Sequence, residues 1–254
     1  MKNKPKNRIR VPVVKSLSLG GTLHLLTFHA PDIARSALPG QFVFLKAGEP
    51  EESPLLKRAF SVLEADTENV SVYFEVKGAG TKRLAALRKG QFLSATGPLG
   101  KGFNPREYGP INVLVAGGCG MAPLFFLAKR LHALGKKVHF YFGARSKSFQ
   151  PLVRRIRPFC DRLIQVTEDG TAGKKGLVTA FITLPDPTAP LFSCGPTPML
   201  KAVAVLFPEA RLALETRMAC GLGICMGCAV KTISGVRLCC KEGPVFKASE
   251  VVWE

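Results

Sequence analysis

The spacing Cys220-x4-Cys225-x2-Cys228, followed by the adjacent Cys239 and Cys240, constrains this chain more than any other feature. Three thiolates on one short loop and a fourth further on is the spacing of a plant-type [2Fe–2S] site. The loop reads Met218-Ala219-Cys220-Gly221-Leu222-Gly223-Ile224-Cys225-Met226-Gly227-Cys228. Its glycines let the backbone wrap closely and turn N–H groups toward sulfur. A four-thiolate zinc knuckle and plain buried thiols are the alternatives. Zinc motifs pair two C-x2–4-C units, and two adjacent cysteines make a poor second half. The other three cysteines, Cys119, Cys160 and Cys194, stand alone. With about 3% cysteine overall, the chain is no disulfide scaffold.

The 254 residues are 46% hydrophobic, enough for packed cores and too apolar for wholesale disorder. Residues 1–104 read as β structure. Val11 to Leu17, Thr22 to Ala30, Gln41 to Lys46, Ala59 to Glu64 and Val70 to Val76 are short apolar runs punctuated by Gly, Pro and Asp. That rhythm predicts an antiparallel barrel or sandwich, with one helix over Thr81 to Arg88. Residues 105–212 alternate. Strands are expected at Ile111 to Ala116, Lys137 to Gly143, Arg162 to Thr167 and Ala189 to Ser193. Helices are expected at Pro123 to Leu134, Pro151 to Phe159, Gly176 to Leu184 and Pro196 to Leu206. Strand–helix alternation predicts a doubly wound parallel sheet. Residues 213–254 form a small Cys-rich module. The fold class is therefore multidomain, β followed by α/β.

Two strand-to-helix turns carry binding chemistry. Gly117-Gly118-Cys119-Gly120-Met121-Ala122-Pro123 follows the first α/β strand, and Cys194-Gly195-Pro196 follows the fourth. Gly-rich turns let a pyrophosphate approach a helix N-terminus, and both turns would lie beyond the carboxyl ends of the strands. Packing alone also places Gly in such turns. In the β half, Arg58-Ala59-Phe60-Ser61 opens a strand and Gly78-Ala79-Gly80-Thr81 opens a helix. Arg58 suits a phosphate, and Gly80 and Thr81 suit an anion at a helix start. A solvated Arg and a simple N-cap are the bland readings.

Lys and Arg exceed Asp and Glu by 18. The basic residues are spread along the chain and no helix-turn-helix, zinc-finger or RNP-like pattern is visible, so nucleic acid is not the expected partner. An acidic protein partner fits better. The run Met1 to Lys15 holds six Lys or Arg but no apolar region follows it, so a secretory signal is not expected. No apolar run approaches the roughly 18 residues of a membrane span. The expected compartment is the cytoplasm, where thiols stay reduced.

Together these stretches resemble the ferredoxin–NADP reductase-like family. Arg58-x-Phe60-Ser61 is similar to its flavin motif, and the two Gly-rich turns are similar to its nicotinamide motifs. Glu215-Thr216-Arg217-Met218-Ala219-Cys220-Gly221 and Cys240-Lys241-Glu242-Gly243-Pro244-Val245-Phe246 narrow the resemblance to electron-transfer subunits of NAD-dependent dihydroorotate dehydrogenases. The resemblance spans nearly the whole chain. It implies an FAD-binding barrel (1–104), an NAD-binding sheet (105–212) and a [2Fe–2S] module (213–254). It implies FAD contacts at Arg58, Ala59, Phe60, Ser61, Tyr73, Phe74, Glu75, Gly80 and Thr81. It implies NAD(H) contacts at Gly117, Gly118, Gly120, Cys194, Gly195 and Pro196. A basic residue is common in the family where Glu75 stands, and Cys119 interrupts the usual run of three glycines.

The family's fourth cluster ligand precedes x-x-Gly-Pro, an offset that Cys240 meets and Cys239 does not. The implied ligands are therefore Cys220, Cys225, Cys228 and Cys240, with Cys239 turned into the core. The implied activity passes electrons from a dihydroorotate dehydrogenase catalytic subunit through the cluster and FAD to NAD+, in pyrimidine biosynthesis. The implied assembly is a heterotetramer of two plus two. No acid–base catalytic constellation is visible, so the substrate-oxidising residues would belong to the partner. Related flavin subunits of ferredoxin:NAD(P) oxidoreductases, sulfur reductases or hydrogenases are the second reading, and a redox-sensing or zinc-binding module is the third. Arg145 and Lys147 suit either a 2′-phosphate or solvent, so the choice between NADH and NADPH stays open.

Overall fold

The computed structural model describes residues 9–49, 51–149 and 151–253. Residues 1–8 of the basic N-terminal run lie outside them. Strands β1 (Ile9–Ser18), β2 (Leu23–His29), β3 (Phe42–Ala47), β4 (Arg58–Ala65), β5 (Asn69–Glu75) and β6 (Phe92–Leu99) are all antiparallel. They close into a barrel in the order β1-β2-β5-β4-β3-β6. Closure pairs every strand and leaves no free edge. Val11, Val13, Leu26, Phe28, Val43, Leu45, Val62 and Val72 fill its interior.

The last barrel strand, β6, was not expected, because Gly97 and Pro98 break its apolar rhythm. Two helices flank the barrel, α1 (Pro31–Ser36) and α2 (Ala79–Ala85). The first was also unexpected: it is a turn and a half, too short for a periodic signal. The second starts and ends earlier than the sequence predicts. Thr81 Oγ1 accepts from the N–H groups of Lys77 and Gly78, both at 3.0 Å, which fixes where α2 begins.

The second half is built on β7 (Ile111–Gly117), β8 (Lys137–Ala144), β9 (Arg162–Thr167), β10 (Lys174–Lys175), β11 (Leu191–Cys194) and β12 (Arg211–Ala213), all parallel. The sheet runs β10-β9-β8-β7-β11-β12 and ends on an antiparallel strand from the C-terminal segment. Alternate residues serve opposite faces. Val113, Val115, Tyr141 and Leu191 face one core, and Leu114, Ala116, Phe140, Phe142 and Phe192 face the other. Burial on both faces explains the unbroken apolar run of β7.

Helices α3 (Met121–Ala133), α4 (Val153–Ile156) and α5 (Thr197–Leu206) complete this half. The expected helix over residues 151–159 is only α4 followed by one 3-10 turn, because Pro158 has no N–H to continue the ladder. The expected helix over residues 176–184 is a correction. It is one 3-10 turn, Val178–Phe181, after which Ile182 returns to extended backbone.

Helix α3 joins the two halves. Its first two turns are apolar on every side, which marks a helix packed on both faces. Leu124 and Leu127 share a core with Leu23, Leu25, Leu63 and Tyr73 of the barrel. Phe126, 2% exposed, enters the barrel's own cluster. The linker between the halves is pinned by Lys136, whose Nζ donates to the carbonyls of Pro105 at 2.8 Å, Arg106 at 3.3 Å and Tyr108. Hydrogen bonds from a charged donor contribute roughly 1.5–3 kcal/mol each at best. Lys136→Met should lower stability by about 2 kcal/mol in denaturant unfolding, and an unchanged midpoint would show that water replaces the ammonium without loss.

The C-terminal segment holds a hairpin, β13 (Ala229–Thr232) and β14 (Gly235–Leu238), and then β15 (Val245–Lys247), the antiparallel edge strand on β12. Among the described residues no helix is long and apolar enough to cross a membrane.

Candidate functional site

A cleft of about 980 Å³ runs between the barrel and the carboxyl ends of the parallel strands. Of the expected cofactor residues, Arg58, Ala59, Phe60, Ser61, Tyr73, Phe74, Glu75, Thr81, Gly117, Gly118, Gly120, Gly195 and Pro196 line it. Gly80 and Cys194 lie behind the wall. Arg58 crosses Gly80 so closely that a Cβ there would sit 2.5 Å from Arg58 Nε. Arg58 Nη1 also donates to Leu56 O, so the guanidinium is held over the start of α2. Cys194 is 1% exposed.

The Gly-rich turn follows from what surrounds it. Gly118 has φ +53°, a backbone most side chains avoid. Gly120 lies against β11, where a Cβ would be 2.1 Å from Cys194 O. The chain can therefore leave β7, turn through Gly118–Gly120 and enter α3 at the cleft, with the Met121 N–H closing the turn onto the carbonyls of Gly118 and Cys119.

Sequence reasoning did not assign Leu23, Phe42, Lys77, Glu168, Thr179, Met199, Glu215, Thr216 and Met218 to the cleft, although they line it. Lys77 pairs with Glu75 at 2.9 Å. Burial pushes the Cys119 thiol up to about 12, with Glu215 and Glu75 adding to the rise and Lys77 opposing it. Cys119 is thus a neutral thiol on the barrel side of the turn. Glu215 is exposed to solvent at the cleft, yet the protein packed around it shifts its carboxyl upward, with Lys77 opposing. The Thr216 hydroxyl is buried beside the Cys239 thiol.

The cysteine loop begins two residues after Met218, on the wall of this cleft. The N–H groups of Leu222, Cys225 and Ile224 aim at Cys220 Sγ and pull its thiol down to about 6. The Leu222 and Ile224 bonds are 3.4 and 3.5 Å long. Gly221, at φ +67°, lies against Phe44 of the barrel, and a Cβ would be 2.1 Å from that ring. The four expected ligands stand as two pairs. Cys220 is next to Cys225. Cys228 is next to Cys240, whose N–H donates to Cys228 Sγ at 3.4 Å. Among the described residues no three His, Cys, Asp or Glu side chains are gathered as for a single metal ion. Cys239 is fully buried and its thiol faces Leu214 O at 3.5 Å, on the core side.

This barrel, this sheet and the cleft between them define a ferredoxin–NADP reductase-like flavoprotein. A chain from the structure of the NADH-dependent reduced ferredoxin-NADP oxidoreductase superposes with TM-score 0.85 at 26% identity, over 100% of this chain and 92% of that one. A ferredoxin NADP+ reductase from Neisseria gonorrhoeae shares the fold, with TM-score 0.63 at 17% identity over 78% and 89%. Residues 215–252 match the iron-sulfur cluster binding domain of dihydroorotate dehydrogenase B. The electron transfer subunit of dihydroorotate dehydrogenase B (NAD(+)) from Clostridium acetobutylicum is 38% identical over 218 residues, 84% of this chain and 86% of that one. A homolog of that subunit from Aquifex aeolicus is 35% identical over 248 residues, 96% and 98%. The chain belongs to the family of dihydroorotate dehydrogenase B electron transfer subunits.

Proposed function

We propose that this chain carries electrons from a dihydroorotate-oxidising partner subunit to NAD+, using FAD in the cleft and a [2Fe–2S] cluster in the cysteine loop. The observation that carries the reading is the segment Leu214–Met218: four of its residues line the cleft, and the chain then runs directly into Cys220. One wall therefore serves both sites.

The residues fit the groups. The two cysteine pairs suit two irons with two thiolates each. Zinc would need all four thiolates within about 2.3 Å of one ion. The N–H groups around Cys220 stabilise a thiolate. For the flavin, the fixed Arg58 guanidinium suits a phosphate, Phe60 and Tyr73 offer apolar walls, and Thr216 on the cleft wall offers a polar contact. When bound, a flavin exchanges hydride with nicotinamide and single electrons with an iron–sulfur cluster, so it joins the two. The protein's part is to bind, orient and exclude water. The α3 N-terminus and Gly118 receive a dinucleotide, and Gly195 and Pro196 close the other side of that turn.

Residues 1–104, 105–212 and 213–254 are the three working parts, the last tied to the second through β15. The ligands are Cys220, Cys225, Cys228 and Cys240. The partner supplies the dihydroorotate site, in an assembly of two plus two. The similarity to a ferredoxin-linked oxidoreductase favours one second reading, in which reduced ferredoxin is the electron source. Mixing the holoprotein with a dihydroorotate-oxidising subunit should give NADH formation that depends on dihydroorotate. NADH formation with reduced ferredoxin alone would select the second reading.

A further inference from the structure

Two acidic residues follow β9 at the rim of the cleft, and the structure gives them different duties. Asp169 is committed to its turn. Its Oδ1 accepts from Thr171 N at 2.9 Å and from Thr171 Oγ1 at 2.6 Å, and Thr171 Oγ1 accepts from Lys147 N at 2.9 Å. Glu168 lines the cleft, and among the described residues its carboxylate has no hydrogen bond or ion pair. Its backbone is nonetheless fixed, because Glu168 N–H donates to Ala144 O at 3.1 Å, at the end of β8. A free carboxylate thus projects from a rigid strand end into a binding cleft.

Position gives this carboxylate a partner. The sheet order places β9 two strands from β7, which carries the Gly-rich turn. At about 4.8 Å per strand, Glu168 stands roughly 10 Å along the sheet edge from that turn. Cys119, with Glu75, Lys77 and Glu215 around it, marks the barrel side of the turn. A dinucleotide with its pyrophosphate on α3 and its nicotinamide toward the barrel extends its adenosine ribose the other way, along β8 and β9.

We propose that Glu168 is the specificity-determining residue that selects NADH over NADPH. Its carboxylate accepts hydrogen bonds from the ribose hydroxyls and repels a 2′-phosphate. The inference rests on the reading of this cleft as the nicotinamide site. Arg145, which leaves β8 beside Glu168 and also lines the cleft, is the opposing group: a guanidinium at that rim favours a phosphate. Both side chains are exposed and both backbones are tied between the strand ends, Glu168 N–H to Ala144 O at 3.1 Å and Asp169 N–H to Arg145 O at 3.2 Å, so the two charges compete at one rim.

The test compares wild type, Glu168→Gln, Glu168→Asp and Arg145→Ala. Anaerobic stopped-flow mixing measures reduction of the bound flavin by NADH and by NADPH. Calorimetry measures binding of ADP-ribose and of its 2′-phosphorylated form. Wild type should prefer NADH by about 100-fold, a discrimination typical of one well-placed charge. Glu168→Gln should shrink the preference by about tenfold, through KM and Kd rather than kcat. Glu168→Asp should retain most of it, and Arg145→Ala should widen it. A wild type that prefers NADPH, or a preference unchanged in Glu168→Gln, would overturn the proposal. If neither nucleotide reduces the flavin, the functional reading itself fails, and the calorimetry still decides whether Glu168 discriminates against the 2′-phosphate.

Discussion

Cys240→Ala should strip the iron from the protein, whereas Cys239→Ala, one residue away, should leave it. The two side chains are adjacent in the turn that follows β14, yet they face different neighbours. Cys240 sits on Cys228: its N–H reaches Cys228 Sγ at 3.4 Å, and the two thiols are neighbours. Cys239 faces Leu214 O, 0% exposed, in the core beneath the loop. With one of four thiolates gone, iron should fall from about two per chain toward zero. The visible and paramagnetic signals of the cluster should go with it. Electron delivery from the partner to NAD+ should drop by about 100-fold or more, since the protein then lacks its one-electron relay. Cys239→Ala removes a sulfur from a packed core and should lower stability by about 1 kcal/mol, with iron unchanged. The check is an iron and sulfide assay on each variant. Iron lost from the Cys239 variant and kept by the Cys240 variant would reverse the assignment.

Gly120→Ala should cost about 3 kcal/mol of stability and remove nicotinamide binding, the upper range for overpacking a tight contact. The added methyl would lie 2.1 Å from Cys194 O and 2.4 Å from Cys194 C, both backbone atoms of β11. Backbone in the middle of a parallel sheet cannot swing aside as a flexible side chain does. Either β11 separates from β7 or α3 shifts outward. Each outcome moves the first turn of α3 away from the cleft, where it would receive the pyrophosphate. The same substitution at Gly118 meets no atom within 4 Å and only the penalty of φ +53°. Gly118→Ala should therefore cost about 1 kcal/mol. Denaturant unfolding and NADH titration of both variants check the contrast. Equal effects at the two glycines would show that backbone conformation, not contact with β11, governs the turn.

Much of this site was legible in the sequence because its parts are local. The cysteine spacing, the two Gly-rich turns and Arg58-x-Phe60-Ser61 are each short strings whose chemistry depends on neighbours in the chain. The cleft residues that escaped, Lys77, Glu168, Glu215 and Thr216, face the site only because separate elements converge there. Glu215 and Thr216 were part of a recognisable string, yet nothing in the string says that this segment walls the cleft before it reaches Cys220. The fold was legible where periodicity is strong, as in β7 and α3. It was not legible in β6, interrupted by Gly97-Pro98, or in the short strands β10, β12 and β15. Residues 176–184 looked helical by composition, but tertiary packing overrode that propensity.

The central claim is that one chain holds a flavin and a two-iron cluster in electronic contact with a nicotinamide. The most direct measurement is the visible spectrum of anaerobically purified protein, with iron and sulfide assays, before and after NADH. The account predicts flavin bands and about two irons and two sulfides per chain, with both chromophores bleached by NADH. A colourless protein carrying zinc, or flavin and iron that NADH leaves unchanged, would contradict it.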